Sequence, residues 1–75
     1  MAGVRSEAAK RLGWNIRRVM CERGLTQHML AASMGVQQGT ISNWCTGKKQ
    51  PKAESIAKMC RVLKCTADEL LEGLL

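Results

Sequence analysis

The sequence predicts an all-α fold, a compact domain of five helices. Apolar residues recur at helical spacing along most of its 75 residues, and single glycines or a lone proline stand between the periodic segments, as at short inter-helix turns. The apolar set is mainly Leu, Met, Val, Ile and Ala, which favours packed helices over a β-sandwich. Trp14 and Trp44 are the only aromatic residues. A chain of this length is expected to be one domain, residues 1–75, and its core is thin, since about 60% of the unfolded surface is buried at such a size.

The first helix is expected over about residues 8–22, where Leu12, Ile16, Val19 and Met20 form a one-face stripe between arginines. Gly24 ends it in the left-handed position past the last turn. Trp14 lies off the stripe and is expected to half-cover the core. Thr26 caps a second helix, about 27–34, with Leu30, Ala31 and Met34 inward and Gln27, His28 and Ser33 outward. Gly35 stops that helix and Val36 plugs the turn. A third helix, about 38–46, carries Ile41, Trp44 and Cys45 inward, and Gln38, Gly39, Ser42 and Asn43 outward. A basic loop, Lys48-Lys49-Gln50-Pro51-Lys52, leads to a fourth helix, about 53–63, with Ile56, Met59, Cys60 and Leu63 inward. Thr66 and Glu69 form a capping box that opens a fifth helix, about 67–73.

Charge and cysteine usage narrow the function classes. The net charge is +6, and residues 23–53 contain Arg23, Lys48, Lys49 and Lys52 without a single carboxylate. A basic stretch with nothing to repel a polyanion suggests nucleic acid, held through its phosphates. Cys21, Cys45, Cys60 and Cys65 show no C-x-x-C pair, and His28 is the lone histidine. They read as buried free thiols of a reducing cytoplasm rather than as metal ligands. No metal and no cofactor is expected. No apolar run reaches the roughly 18 residues of a membrane span, and the stretch Met1–Arg5 lacks the apolar core of a signal peptide; a cytoplasmic location follows as an expectation. The chain offers no Ser-His-Asp set, no phosphate-binding glycine loop and no carboxylate pair on one face, so an enzyme is not expected.

Two short helices joined through a glycine turn are a helix-turn-helix. Ala31 is small enough for the second and third helices to cross closely, and Gly35 supplies a backbone angle that other residues resist. The outward side of the third helix is polar, amide-rich and uncharged, whereas a merely solvated helix is usually filled with Glu, Lys and Arg. Gln and Asn present a donor and an acceptor side by side, which matches the N6 and N7 edge of adenine in the major groove. Gln37 is a poor N-cap and Gly39 costs about 1 kcal/mol relative to alanine inside a helix; close approach of DNA at Gly39 accounts for that choice.

The residues Leu12-Gly13, Ile16-Arg17, Arg23-Gly24-Leu25-Thr26-Gln27, Leu30-Ala31, Gly35-Val36, Thr40-Ile41-Ser42-Asn43-Trp44, Gly47, Pro51, Ile56, Leu63 and Asp68-Glu69-Leu70-Leu71 together resemble the Cro/lambda-repressor-type (Xre) helix-turn-helix family over about residues 10–73. The resemblance implies a five-helix lambda-repressor-like domain that binds operator DNA, commonly as a dimer. It implies base-reading positions at Gln37, Gln38, Gly39, Ser42 and Asn43, and phosphate contacts from Thr26, Gln27, Thr40, Thr46, Lys48, Lys49 and Lys52. It also implies a brace between Gln27 and Gln38. Some family members pair an Arg with a Glu where this chain has Met20 and Cys45, so an apolar contact is expected there. The start of the fifth helix, Ala67 and Glu69, lacks the bulky apolar residues often used for dimer contacts; Leu74 and Leu75 offer a substitute.

The expected function is therefore a sequence-specific, double-stranded DNA-binding transcriptional regulator, a repressor, prokaryotic or phage-encoded and nucleoid-associated when bound. It is expected to read the major groove with the third helix and to form a homodimer at least on DNA. The alternative is an antitoxin-like protein-interaction module that also binds its own operator, with the apolar C-terminus and Trp14 as its support.

Overall fold

The computed structural model describes residues 7–74. They form α1 (Glu7–Arg23), α2 (Gln27–Met34), α3 (Gln38–Thr46), α4 (Ala53–Leu63) and α5 (Ala67–Leu70), with no strand among the described residues. The all-α, five-helix expectation is met, and the first four helices begin and end within a residue of where periodicity and punctuation put them.

One stop signal is used four times. A residue past the helix turns left-handed, and the next amide returns to the carbonyl five residues back: Leu25 to Met20 (2.9 Å), Val36 to Ala31 (3.0 Å), Lys48 to Asn43 (2.9 Å) and Cys65 to Cys60 (3.0 Å). This closes the last open carbonyls of each helix. Gly24, Gly35 and Gly47 supply the left-handed residue in the first three cases, and Lys64, at φ 55°, in the fourth. At the other ends, the Thr26 hydroxyl accepts from the Met29 amide, and Thr66 and Glu69 form the full capping box. The Thr66 amide donates to the Glu69 carboxylate at 2.8 Å, and that bond holds the Glu69 carboxyl below its ordinary pKa.

The core is a single cluster in which Ile16, Leu30, Ile41, Met59, Leu63 and Leu70 are completely enclosed, each helix giving at least one of them. α1 crosses α3, α2 packs on α3 and α4, and α5 closes the end between α1 and α4. Met20 and Cys45 are both buried in this cluster, consistent with apolar packing in place of an ion pair. Burial raises the pKa of the Cys45 thiol, and the Arg17 charge opposes the shift.

α1 is fastened to the end of the chain by polar groups that helical periodicity does not reveal. Asn15 is the only buried polar residue among those described. Its Nδ2 donates to the carbonyl oxygens of Leu70 (2.8 Å) and Glu72 (2.9 Å). Arg11 donates to the same Glu72 carbonyl, and Arg18 bridges the Glu22 and Glu72 carboxylates. At the far end of α1, Arg23 donates to the carbonyls of Leu63 (2.8 Å) and Lys64 (3.1 Å). Replacing Asn15 with leucine is expected to lower stability by about 2 kcal/mol, because carbonyls of the C-terminal turn lose their donor without regaining water; a urea titration reads this directly.

Three expectations are corrected. The fifth helix ends at Leu70 instead of continuing to residue 73, since the carbonyls of Leu70 and Glu72 turn towards Asn15 and the chain bends at Gly73 (φ 84°). Trp14 does not half-cover the core: it is 54% exposed on the outer side of α1, with the Arg17 guanidinium 5.3 Å from its ring centre. Of the four thiols, only Cys45 is buried; Cys60 and Cys65 are half-buried and Cys21 is exposed. Leu74 packs against the core, while Leu75 and the stretch Met1–Arg5 lie outside the described residues. No described helix is long and apolar enough to cross a membrane.

Candidate nucleic-acid interface

The geometry of the site follows from how α2 and α3 share their apolar faces. Leu30, Ala31 and Met34 of α2 meet Ile41, Trp44 and Cys45 of α3 in the core, and Val36 lies half-buried in the corner between them. With that side of α3 committed, Gln38, Gly39 and Thr46 are left exposed, and Ser42 and Asn43 half-buried. Gln37, just before the helix, is exposed and makes no capping hydrogen bond. Gln37, Gln38, Gly39, Ser42 and Asn43 thus belong to one turn-and-a-half of a single short helix and its N-cap. Thr40, assigned to phosphate by the resemblance, is half-buried on the same helix.

Gly39 has a particular status. A Cβ built there has no neighbour within 4 Å, and its backbone is not left-handed. Nothing inside the protein requires glycine at this position.

The other groups assigned to phosphate stand at the N-terminus of α2, at the end of α3 and in the loop that follows it. Thr26 is exposed; its oxygen accepts from Met29 at 3.1 Å, so its own proton is left to donate outward. It stands with half-buried Gln27 at the N-terminus of α2, where open amides and the helix dipole favour an anion. Lys48, Lys49 and Lys52 are exposed, and none is in an ion pair among the described residues. Thr46 differs, for its hydroxyl already donates back to the carbonyls of Ser42 (3.1 Å) and Asn43 (3.3 Å). No hydrogen bond joins Gln27 to Gln38 among the described residues, so the expected brace is not formed here. The acids near α1 are engaged elsewhere: Glu22 pairs with Arg18 and Arg23, and Glu72 pairs with Arg18.

Sequence reasoning missed Lys10. Its main chain and Cγ would lie 3.2–3.3 Å from a Cβ on Gly47, so its stem runs over the end of α3. Lys10 and Gly47 are far apart in the chain, and only tertiary structure brings them together.

A helix-turn-helix family model matches residues 16–70, from the middle of α1 to the end of α5. The chain belongs to this helix-turn-helix family, the lambda-repressor-like (Xre) kind of DNA-binding transcription regulator. Among solved structures, it is similar to the clp gene regulator ClgR from Corynebacterium glutamicum, with a TM-score of 0.82 and 26% identity over 88% of this chain and 86% of that one. The restriction-modification controller protein C.AhdI from Aeromonas hydrophila shares the fold at a TM-score of 0.78 and 22% identity, over 83% of this chain and 94% of that one. So does a hypothetical transcription factor, NHTF, from Neisseria, at 0.80 and 22%, over 95% and 82%. Curated protein sequences give no match. The helix-turn-helix family and these neighbours are transcription regulators rather than enzymes.

Proposed function

We propose that this protein is a sequence-specific transcriptional repressor, a single-domain unit over residues 1–75. It binds double-stranded operator DNA as a homodimer, in the cytoplasm of a prokaryote or under the control of a phage. The observation that carries the reading is the outward side of α3. It is amide-rich and free of charge, and the loop after it carries lysines with no carboxylate partner among the described residues.

The work divides between two kinds of contact. Gln37, Gln38, Ser42 and Asn43 address base edges in the major groove, and Gly39 lets the groove wall approach the helix. Lys48, Lys49 and Lys52, the N-terminus of α2 with Thr26 and Gln27, and Thr40 grip phosphates and set the register. Lys10 joins this group through its place against Gly47, at the end of α3. Thr46 contributes once its hydroxyl leaves the helix carbonyls. The same pattern would serve an activator; repression is the family's habit and is tested by placing the selected site over a promoter.

Gly39→Ala separates a folding role from a binding role. Its Cβ meets open space, so the folded state should gain up to about 1 kcal/mol from helix propensity. Operator affinity should fall at the same time, by roughly fivefold for a loss of about 1 kcal/mol. A stabilised variant with unchanged affinity would remove Gly39 from the interface.

The decisive experiment is selection from a random pool of duplexes at near-physiological salt. Two related half-sites about 10 base pairs apart, centre to centre, are the expected product. Salt-sensitive binding without enrichment would overturn sequence reading. Exposed Trp14 favours a second reading, an antitoxin-like module with a protein partner; a tight complex with another protein in the absence of DNA would establish it.

A further inference from the structure

Two thiols flank the end of α4, Cys60 in its last turn and Cys65 just past it. Past Leu63 the chain turns left-handed at Lys64 (φ 55°, ψ 47°), and the Cys65 amide donates to the Cys60 carbonyl at 3.0 Å. A single main-chain bond of that length places the two Cα atoms about 5–6 Å apart, within the roughly 4.4–6.8 Å that a disulfide spans. In a helix stop of this kind the side chains at these two positions frequently pack on each other. Here both are free, half-buried thiols, near enough that Cys60 helps to raise the pKa of Cys65. No group of three or more His, Cys, Asp or Glu suited to a metal occurs among the described residues, so the pair is two sulfurs without further ligands.

We propose that Cys60 and Cys65 are a modification site, a dithiol that closes to a reversible intramolecular disulfide with a small-molecule disulfide of the glutathione class as oxidant. One cysteine thiolate attacks a sulfur of the oxidant and expels one thiolate, leaving a mixed disulfide. The second cysteine thiolate then attacks the protein sulfur of that mixed disulfide and expels the other thiolate. Both protons end on the two released thiols, so two cysteine thiols are oxidised and one oxidant disulfide is reduced. Burial, with the Cys60 thiol and the Glu69 carboxylate, pushes the Cys65 thiol up to about 11, against the pull of Arg23. Closure is therefore slow at neutral pH and quickens as pH rises. The bridge staples the turn that leads straight into the Thr66 cap of α5, and it lies on a different part of the fold from α3.

The protein itself provides a clean assay, because trypsin cuts after Lys58, Arg61 and Lys64 and so separates the two cysteines. The native full chain is incubated with oxidised glutathione at pH 8, its remaining thiols are blocked, and it is digested after denaturation. The expected product is the peptide Met59–Arg61 linked to Cys65–Leu75, formed faster at pH 9 than at pH 7 and lost on reduction. In Cys60→Ser the linked pair disappears and a glutathione adduct persists on Cys65, since no second thiol resolves it. Wild-type protein that accumulates persistent glutathione adducts at Cys60 and Cys65, or that yields only dimers linked through exposed Cys21, would overturn the proposal. Neither result depends on whether the protein binds DNA.

Discussion

Replacing Gly13 with alanine is expected to destabilise the protein by about 2 kcal/mol, although alanine is the better helix former by about 1 kcal/mol. The sign is decided by contact. A Cβ at Gly13 would stand 2.5 Å from the Cys45 carbonyl oxygen and 2.6 Å from that of Trp44. These are main-chain atoms near the end of α3, and no rotamer change moves them aside. α1 must instead lift from α3, loosening the core cluster to which Ile16, Val19 and Ile41 all belong, an overpacking cost of about 1–3 kcal/mol or more. A domain of this size holds roughly 4–11 kcal/mol in all, so the loss is a large share. Urea midpoints of Gly13→Ala and Gly39→Ala should move in opposite directions. The two substitutions are chemically identical and both lie within helices, so only the surroundings can separate them. A Gly13→Ala variant as stable as the wild type would mean that α1 does not press on α3 as described.

That pair of glycines also shows what a sequence can and cannot reveal. Helix ends were legible at α1 to α3 because the stop signal is local: a glycine past the last turn, followed at α1 and α2 by an apolar residue. Lys64 performs the same task without glycine, and there Thr66 and Glu69 marked the next helix instead. The end of α5 was not legible, because its last carbonyls are drawn to Asn15, 55 and 57 residues away along the chain. Asn15 itself gives no signal, since an asparagine between arginines in an amphipathic helix reads as solvent-facing. Gly13 is silent for the same reason: the carbonyls that demand it belong to α3. The outward side of α3, proposed here to meet DNA, was legible because its residues lie on one short helix whose apolar stripe is clear, leaving the amides only one direction to face. Lys10 was not, for its neighbour Gly47 is joined to it only by the fold.

Gln38→Ala and Lys49→Ala should fail in different ways, and the difference tests the proposed division of labour. Gln38 is exposed on the first turn of α3 with no hydrogen bond to the protein among the described residues, so its truncation costs the fold little. If it reads a base, the variant should lose about 1–3 kcal/mol on the selected operator and much less on duplexes altered at that one base pair, so that preference there relaxes. Lys49 is exposed and in no ion pair among the described residues. If it meets a phosphate, Lys49→Ala should weaken all duplexes alike and reduce the slope of log affinity against log salt by about 1. Affinities on matched and mutated operators over a range of salt give both readouts in one experiment. Thr46→Val serves as the internal check, because its hydroxyl is already bonded within α3 at 3.1 and 3.3 Å; a loss much smaller than that of Lys49→Ala is expected. Should Gln38→Ala weaken every sequence equally while Lys49→Ala alters preference at one base pair, the roles would be exchanged. The loop after α3, rather than α3 itself, would then be the element in the groove.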